Sequence, residues 1–472
     1  MLTTLKLSFA LFLGLTLIML GNGLGGSLVG VRAQVEGFNN TVTGVIMAGY
    51  FVGFFIGSYI VPKLMAQVGH VRVFGALTAM ASLAILVFPL IVDPWIWTIM
   101  RVLTGVAYAG LYIVVESWLN DKATNETRGQ MLAIYLVVSS LGVAGGQLML
   151  NLYAPGDFRL FTIVSVLISA AAIPVLISAA RAPEFDTPES MGPWALYKKS
   201  PLGTVGMMLV GVMAGMLIGM GPAYAFKMSG TEFTSYFMAA IFIGGFLFTW
   251  PIGKLSDVLD RRKVIIGVAA ACVVIAAAGL VFEDPTPQNP LGALLPPAVE
   301  GIAWLGRDGL LLLVALLLGG TALPLYSLCI AHTNDFLTQK QMVAASSTLI
   351  MANGFGAMLG PNIGGFAMDM TGTPGFFWAL TATAVIFVAF GLYRMTRRPP
   401  AEDQGAFVAV DAQLSAVAAT TWNPEVEWPE TEQDMDVLDD TEAADGDATW
   451  DDLPDPEAQD ADESARDTRP KP

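Results

Sequence analysis

Charge is scarce in this chain: 14% of its 472 residues are Asp, Glu, Lys or Arg, against about 25% in an ordinary soluble domain. With 54% hydrophobic residues and a mean hydropathy of +0.60, the composition argues against a soluble enzyme. Cysteine is nearly missing. Cys272 and Cys329 both lie in apolar runs, which excludes a disulfide scaffold and reads as two small packing hydrophobes. The two histidines, His70 and His332, are far apart and no Cys/His cluster accompanies either, so a metal site lacks its usual ligand spacing. A GxxxxGK[ST] phosphate loop is missing, as is a plausible Ser/His/Asp constellation. Direct ATP use, hydrolytic chemistry and a bound cofactor are therefore disfavoured.

The net charge of −16 belongs to one end. Of the 40 acidic and 24 basic residues, 22 and 3 fall in Ala401–Pro472. That tail carries −19 and the first 400 residues carry +3, so the pI near 4.5 says nothing about partners of the main body. The tail has too little apolar content for a core and is expected to be disordered over 399–472. Trp422, Trp428 and Trp450 stand among its acids as candidate docking points for a soluble partner.

What the chain has in abundance is long apolar runs. A bilayer core of roughly 30 Å needs about 20 apolar residues in helical form, because each backbone polar group must be satisfied within its own segment. Twelve such spans are expected, at about 7–31, 42–65, 73–92, 95–118, 130–152, 159–180, 203–226, 233–253, 264–282, 309–331, 342–366 and 375–395. The first exceeds the 7–15 residues of a signal-peptide core and reads as a retained helix. Sixteen basic residues lie in the even-numbered connections and at the chain ends, against four in the odd-numbered ones (Arg32, Arg159, Lys227 and Arg307). By the positive-inside rule both termini are cytoplasmic. A connection at 181–202 divides the spans six and six, giving halves at 1–180 and 203–398, and the proline-rich stretch 283–308 is expected to be an irregular or membrane-surface loop.

The halves repeat each other. A shift of 214 residues sets GLYIVVESWLND (110–121) on PLYSLCIAHTND (324–335), and Gly105, Gly142 and Gly146 on Gly319, Gly356 and Gly360. Further forward, an offset near 196 matches Gly57 with Gly253. Two six-helix halves in parallel arrangement are expected, with a site near the midplane where they face each other.

Between spans 8 and 9 stands GKLSDVLDRRK (253–263), with Gly253, Asp257 and the basic cluster Arg261, Arg262 and Lys263. Glycine lets helices approach, the aspartate accepts hydrogen bonds at a helix end, and the cations hold the turn at the interface. This spacing resembles the loop signature of the major facilitator superfamily, and the resemblance covers about 1–398. The first-half turn, GSYIVPKLMAQVGHVR (57–72), keeps Gly57, Gly69 and Arg72 but has Val61 where the signature aspartate is expected. His70 in that turn reads as an exposed interfacial residue.

Span 4 carries RVLTGVAYA (101–109), similar to a pattern in proton-linked members of that superfamily. At 100° per residue, Arg101, Gly105, Tyr108, Ala109, Tyr112 and Glu116 share one arc of about 100°. A guanidinium in an apolar span is expensive and should face the bundle interior. Glu116 lies about 22 Å further along the helix, too far for a direct pair, and reads as a helix-end charge with a second reading as a proton carrier. ESWLND (116–121) resembles the YcaD-like branch, which looks like sugar- and drug-efflux relatives. GAMLGPNIGG (356–365) in span 11, with Gly356, Gly360, Pro361, Gly364 and Gly365, matches an antiporter signature. Its small residues permit close helix contact and Pro361 a bend; span 5 keeps Gly142 and Gly146 but has Gln147 in the proline position. Asn22, Tyr112, Tyr326, Gln147 and Asn353 are further inward candidates for holding a polar cargo.

These readings define an all-α polytopic membrane protein of twelve helices in the major facilitator fold. The expected function is alternating-access transport of a small organic molecule across the bacterial inner membrane, by a monomer, most simply as proton-coupled efflux. Import or facilitated diffusion, and a transporter-like receptor or scaffold acting through the acidic tail, remain open. Nucleic acid is not an expected partner.

Overall fold

The computed structural model describes residues 9–121, 123, 127–177, 191–283, 306–397, 404–405 and 407–410, and every regular element among them is helical. A first set comprises α1 (Phe9–Val35), α2 (Asn40–Val68), α3 (His70–Leu90), α4 (Pro94–Asp121), α5 (Arg128–Leu148, ending in a 3-10 turn at Met149–Leu152) and α6 (Phe158–Ile177). A short α7 (Pro193–Lys199) leads into the second set. That set holds α8 (Pro201–Gly215), which passes through a π turn at Met216–Met220 into α9 (Gly221–Val258), then α10 (Arg261–Glu283), α11 (Gly306–Ala322), α12 (Pro324–Asn334), α13 (Gln339–Thr371) and α14 (Gly375–Met395).

Among the described residues ten stretches are long and apolar enough to cross a membrane, so the chain is a multi-pass membrane protein. One of the ten, Pro201–Val258, is not a single rod. Ser229 and Gly230 leave helical geometry, and Gly230 turns through φ +77, a conformation in which a side chain would be strained.

The two sets use the same helix pairings. In the first, α1 packs on α5 and α6, α2 on α4, and α3 on α4 and α6; in the second, α8 packs on α13 and α14, α9 on α11, and α10 on α11 and α14. Glycines make the closest crossings. Gly105 lies against the Tyr50 carbonyl and Gly53 against that of Val102, just as Gly319 lies against the Ile241 carbonyl and Gly244 against that of Leu316. Likewise Gly23 meets Val143 and Gly146 meets Leu20, where Gly215 meets Ala357 and Gly360 meets Val212. A Cβ at any of these eight positions would collide with a backbone carbonyl, so the sequence needs glycine there to let two helix backbones touch. Gly356 meets the Met208 carbonyl in the same manner, Gly142 faces the Met19 side chain, and Gly364 sits against Met216 and Met220.

These contacts correct the first-half register. Gly53 pairs with Gly244 and Tyr50 with Ile241, a separation of 191 residues, not 196. At 191, Lys63-Leu64 falls on Lys254-Leu255, Pro62 on Gly253, His70 on Arg261, and Ala66, not Val61, on Asp257. Gly57 is not in the turn: it lies inside α2 against Val106 and Ala109 of α4. Nor is His70 exposed. It is buried at the first position of α3, with its ring Nε2 3.1 Å from Ser117 Oγ and its face toward Trp118.

The connection 181–202 contains α7, and Met191 beside it donates its N–H to the Ala344 carbonyl of α13. The disordered reading of 399–472 fails at residues 404–405 and 407–410, which lie against the helices. The remainder of that tail, and the loop expectation over most of 283–308, lie outside the described residues.

The crossings generate a stability prediction. Gly319→Leu overpacks the α9–α11 contact and should cost about 1–3 kcal/mol or more, lowering the midpoint and monodisperse yield in detergent. Gly267→Ala, where a Cβ meets nothing within 4 Å, should leave both unchanged; equal losses in the two variants would refute the close-contact role.

Candidate functional site

A cavity of about 110 Å³ opens where α1, α2, α4 and α5 face α8, the π turn, α9 and α13. From the first set it is lined by Asn22, Ser27, Met47, Tyr50, Phe51, Phe54, Arg101, Val143 and Gln147; Ile218, Met238, Phe242, Ile350 and Asn353 come from the second. Its polar groups are concentrated on the first side. Asn22 donates to the Tyr112 hydroxyl at 2.9 Å, and the Ser27 hydroxyl donates to the Gln147 side-chain oxygen. Asn353 Oδ1, facing them, has no hydrogen-bond partner among the described residues.

Arg101 is the one cation lining the cavity among the described residues. It is only 5% exposed, its Cζ lies 4.8 Å from the centre of the Tyr50 ring, and its Nε has no hydrogen-bond partner among the described residues. The ring face offsets part of the cost of burying the charge, while the unused donor points to an anionic or polar ligand. Tyr50, Tyr108 and Tyr112 form a ladder beside it with ring centres 6.2 and 6.0 Å apart. No carboxylate lines the cavity among the described residues.

At one end of the bundle the two sets are shut together. The N-terminus of α2, whose first N–H groups have no partner within the helix, receives Asp369 from α13: Oδ1 accepts from the Asn40 N–H at 3.0 Å and the Asn40 side chain at 2.9 Å, and Oδ2 accepts from the Thr41 N–H at 2.7 Å. Lys227 completes the group by donating to Asn40 Oδ1 at 2.8 Å. Beneath this latch, Gly44 lies on the Pro361 carbonyl and Gly365 on that of Asn40, while Gly219 takes the Pro361 ring. The equivalent pair of helices, α5 and α9, is tied at the same end by Asn151 donating to the Ser235 hydroxyl at 2.6 Å.

Toward the other end the cavity continues. Val143, Ile218 and Phe242 also line a cleft of about 340 Å³ between α5 and α9, bounded by Leu323, Ala409 and Val410. The turn from α9 to α10 lies at this end. Arg261, 1% exposed, donates to Asp335 at 2.5 Å and to the Ala331 carbonyl at 3.1 Å, with Asp257 3.6 Å away. Arg262 donates to Asp260 at 2.7 Å, and this hydrogen bond holds the Asp260 carboxyl below the usual carboxylate range. Lys263 and Arg72 are exposed, and Gly69 caps α2 at φ +85.

The cavity thus gathers Asn22, Arg101, Gln147 and Asn353 of the sequence candidates, and reaches Tyr112 through Asn22. It leaves out Tyr326, buried elsewhere, and Glu116, which accepts from the Tyr135 hydroxyl at 2.7 Å. Sequence reasoning missed Ser27 and the aromatic wall. Met47, Tyr50, Phe51 and Phe54 follow one helical stripe, but such a stripe reads as ordinary core until its facing helices are known.

The Major Facilitator Superfamily model matches residues 11–306. An MFS-type transporter of Yersinia enterocolitica, uncharacterized in its name, is 25% identical over 370 residues, 78% of this chain and 89% of that protein. YcaD of Shigella flexneri, likewise uncharacterized, is 24% identical over 359 residues, 75% and 87% of the two chains. Among solved structures, a mutant form of the nucleoside transporter NupG superposes with TM-score 0.66 at 14% identity, covering 82% of this chain and 99% of that one. A bacterial homologue of the human lysosomal transporter Spinster, inward-facing and unoccupied, gives TM-score 0.56 at 16% identity over 89% and 98%. At these identities the structures establish the fold alone.

The latch predicts a conformational effect. Asp369→Ala removes charge-assisted hydrogen bonds worth roughly 1.5–3 kcal/mol, so a spin-label pair at Val45 and Phe366 should change from one separation to two, the longer one populated about tenfold more than in the parent. An unchanged distance distribution would leave closure to the small-residue crossings alone.

Proposed function

Since the chain belongs to the major facilitator superfamily, we propose that it is a secondary active transporter of the bacterial inner membrane. Twelve crossing helices in two six-helix halves rock about the cavity and carry a small organic molecule by alternating access, with proton-coupled efflux as the direction. The observation that carries this reading is the unequal state of the two ends: one shut by Asp369 on the N-terminus of α2, the other continuous with the cavity. The excess of Lys and Arg at the α9–α10 side supports a cytoplasmic open end, where a cargo for export would enter.

The lining narrows the cargo. A buried guanidinium with an unused donor, and no carboxylate beside it among the described residues, disfavours an organic cation, whose charge would meet Arg101 at low dielectric. A neutral or anionic molecule with a flat apolar part suits Arg101, Asn22, Gln147 and Asn353 on one side and Tyr50, Phe51 and Phe54 on the other.

The test begins with a thermal-shift screen of the purified protein over sugars, metabolites and drugs of each charge class, followed by flux of the best hit in proteoliposomes under an imposed pH gradient. Gradient-driven flux is expected in the parent. Arg101→Ala should lower it roughly tenfold or more while leaving insertion and yield intact. Normal gradient-driven flux in that variant would overturn the role of Arg101, and equilibration indifferent to the gradient would replace coupled transport with facilitated diffusion.

A further inference from the structure

The cleft between α5 and α9 is a docking surface with an occupant from the same chain. Residues 404–405 and 407–410 carry no regular secondary structure and reach the cleft at Ala409 and Val410. Among the described residues, the polar contacts that fix them come from the second set. Arg261 donates to the Gly405 carbonyl at 2.6 Å, the Gly405 N–H to Asp335 at 3.2 Å, and the Phe407 N–H to Asp257 at 2.8 Å. The Ser327 hydroxyl donates to the Val410 carbonyl at 2.8 Å and accepts the Val410 N–H at 3.0 Å. Backbone groups thus meet Asp257 and Arg261 of the α9–α10 turn and Asp335 at the end of α12.

Side chains fill the space. The Phe407 ring covers Gly253 so closely that a Cβ there would overlap it, Phe407, Val408 and Val410 pack against the core, and Ala409 and Val410 line the cleft facing α5. The stretch is uncharged between Asp403 and Asp411, which lets it enter an apolar cleft that the acidic residues around it cannot. Because α14 ends at Met395, the tether is short, and a short tether holds its segment at an effective concentration of about millimolar.

Resting on the transport reading above, we propose that this segment is an internal wedge that holds the cytoplasmic end open and must leave before that end can close. At the shut end the paired helices α2 and α13 meet directly through Gly44 and Pro361. Closing the open end requires α5 and α9, whose side chains line the two walls of the cleft, to approach each other there. Phe407 to Val410 stand where that contact would form. The wedge also engages Asp257 and Arg261, so its release returns both groups to the turn and couples departure of the segment to closure.

The test uses the full chain in nanodiscs with spin labels at Ser140→Cys on α5 and Thr249→Cys on α9; the native Cys272 and Cys329 are buried. The parent should show mainly the longer separation. Phe407→Ala combined with Val410→Asp should make the shorter one the larger population, and so should Gly253→Leu, which expels the ring without altering the tail. Trp422→Ala, elsewhere in the tail, should match the parent. The Val45–Phe366 pair separates the two levels of the argument: if it and the cleft pair respond to pH while neither segment variant shifts the cleft distance, the wedge is refuted and alternating access stands. If no condition moves either pair, both readings fall.

Discussion

A helix that presents no side chain to its neighbour lets that neighbour's carbonyl oxygen come into contact, and the geometry of this molecule depends on such contacts. In lipid no hydrophobic force draws helices together, so close backbone approach and van der Waals contact must hold them. Gly53 with Gly105 and Gly23 with Gly146 fix α2 on α4 and α1 on α5; Gly244 with Gly319 and Gly215 with Gly360 do the same for α9 on α11 and α8 on α13. Backbone contacts of this kind resist sliding, because a shift of one residue replaces hydrogen with a Cβ. Each set is therefore stiff along its own crossings. Between the sets the contacts are fewer in kind: a carboxylate on a helix end, the Asn151–Ser235 hydrogen bond, and the crossings of Gly44 on the Pro361 carbonyl and Gly365 on that of Asn40.

The repeat is preserved in backbone contacts and lost in chemistry. Arg101 corresponds to Ala315 and Glu116 to Ile330, so the buried ionisable groups of the α4 face have no partner on α11 and α12. At the open end the asymmetry reverses: Arg261, with its ion pair to Asp335, occupies the place of His70, which meets Ser117 and Trp118 instead. The repeat thus carries the buried cation of the cavity in one half and the charged turn in the other.

The apolar runs fixed nearly every helix in advance because the bilayer's demand for internal hydrogen bonding is stringent and local. Five residues of register between α2 and α9 were misread because a single glycine match, Gly57 on Gly253, outweighed the Lys-Leu pair at 63–64 and 254–255. In glycine-rich helices that residue is too common to set an alignment; contact partners are needed. Arg101 and the amides could be found from sequence, since polarity inside an apolar span is costly and stands out. Tyr50, Phe51 and Phe54 could not, because aromatic residues are at home both in a packed core and in a cavity wall. The docked stretch after α14 was hidden by its surroundings: averaging over an acidic tail concealed seven uncharged residues, 404–410.

The two ends are closed or held open by different forces, and that difference shapes the cycle. At the Asn40 end, charged and backbone groups meet in water-accessible positions, where net hydrogen-bond energies are modest and partners can be exchanged for solvent at small cost. At the Arg261 end, the segment combines buried backbone hydrogen bonds with the apolar Phe407 and Val410; withdrawing it exposes apolar surface on both sides unless α5 and α9 close over the vacated space. Departure and closure therefore favour one another, whereas either alone is uphill. A ligand can shift such an equilibrium only through its different affinity for the two states. Cargo that draws α5 and α9 together around Gln147 and Phe242 would thus act against the segment without touching it, through the helices that both of them hold apart or bring together.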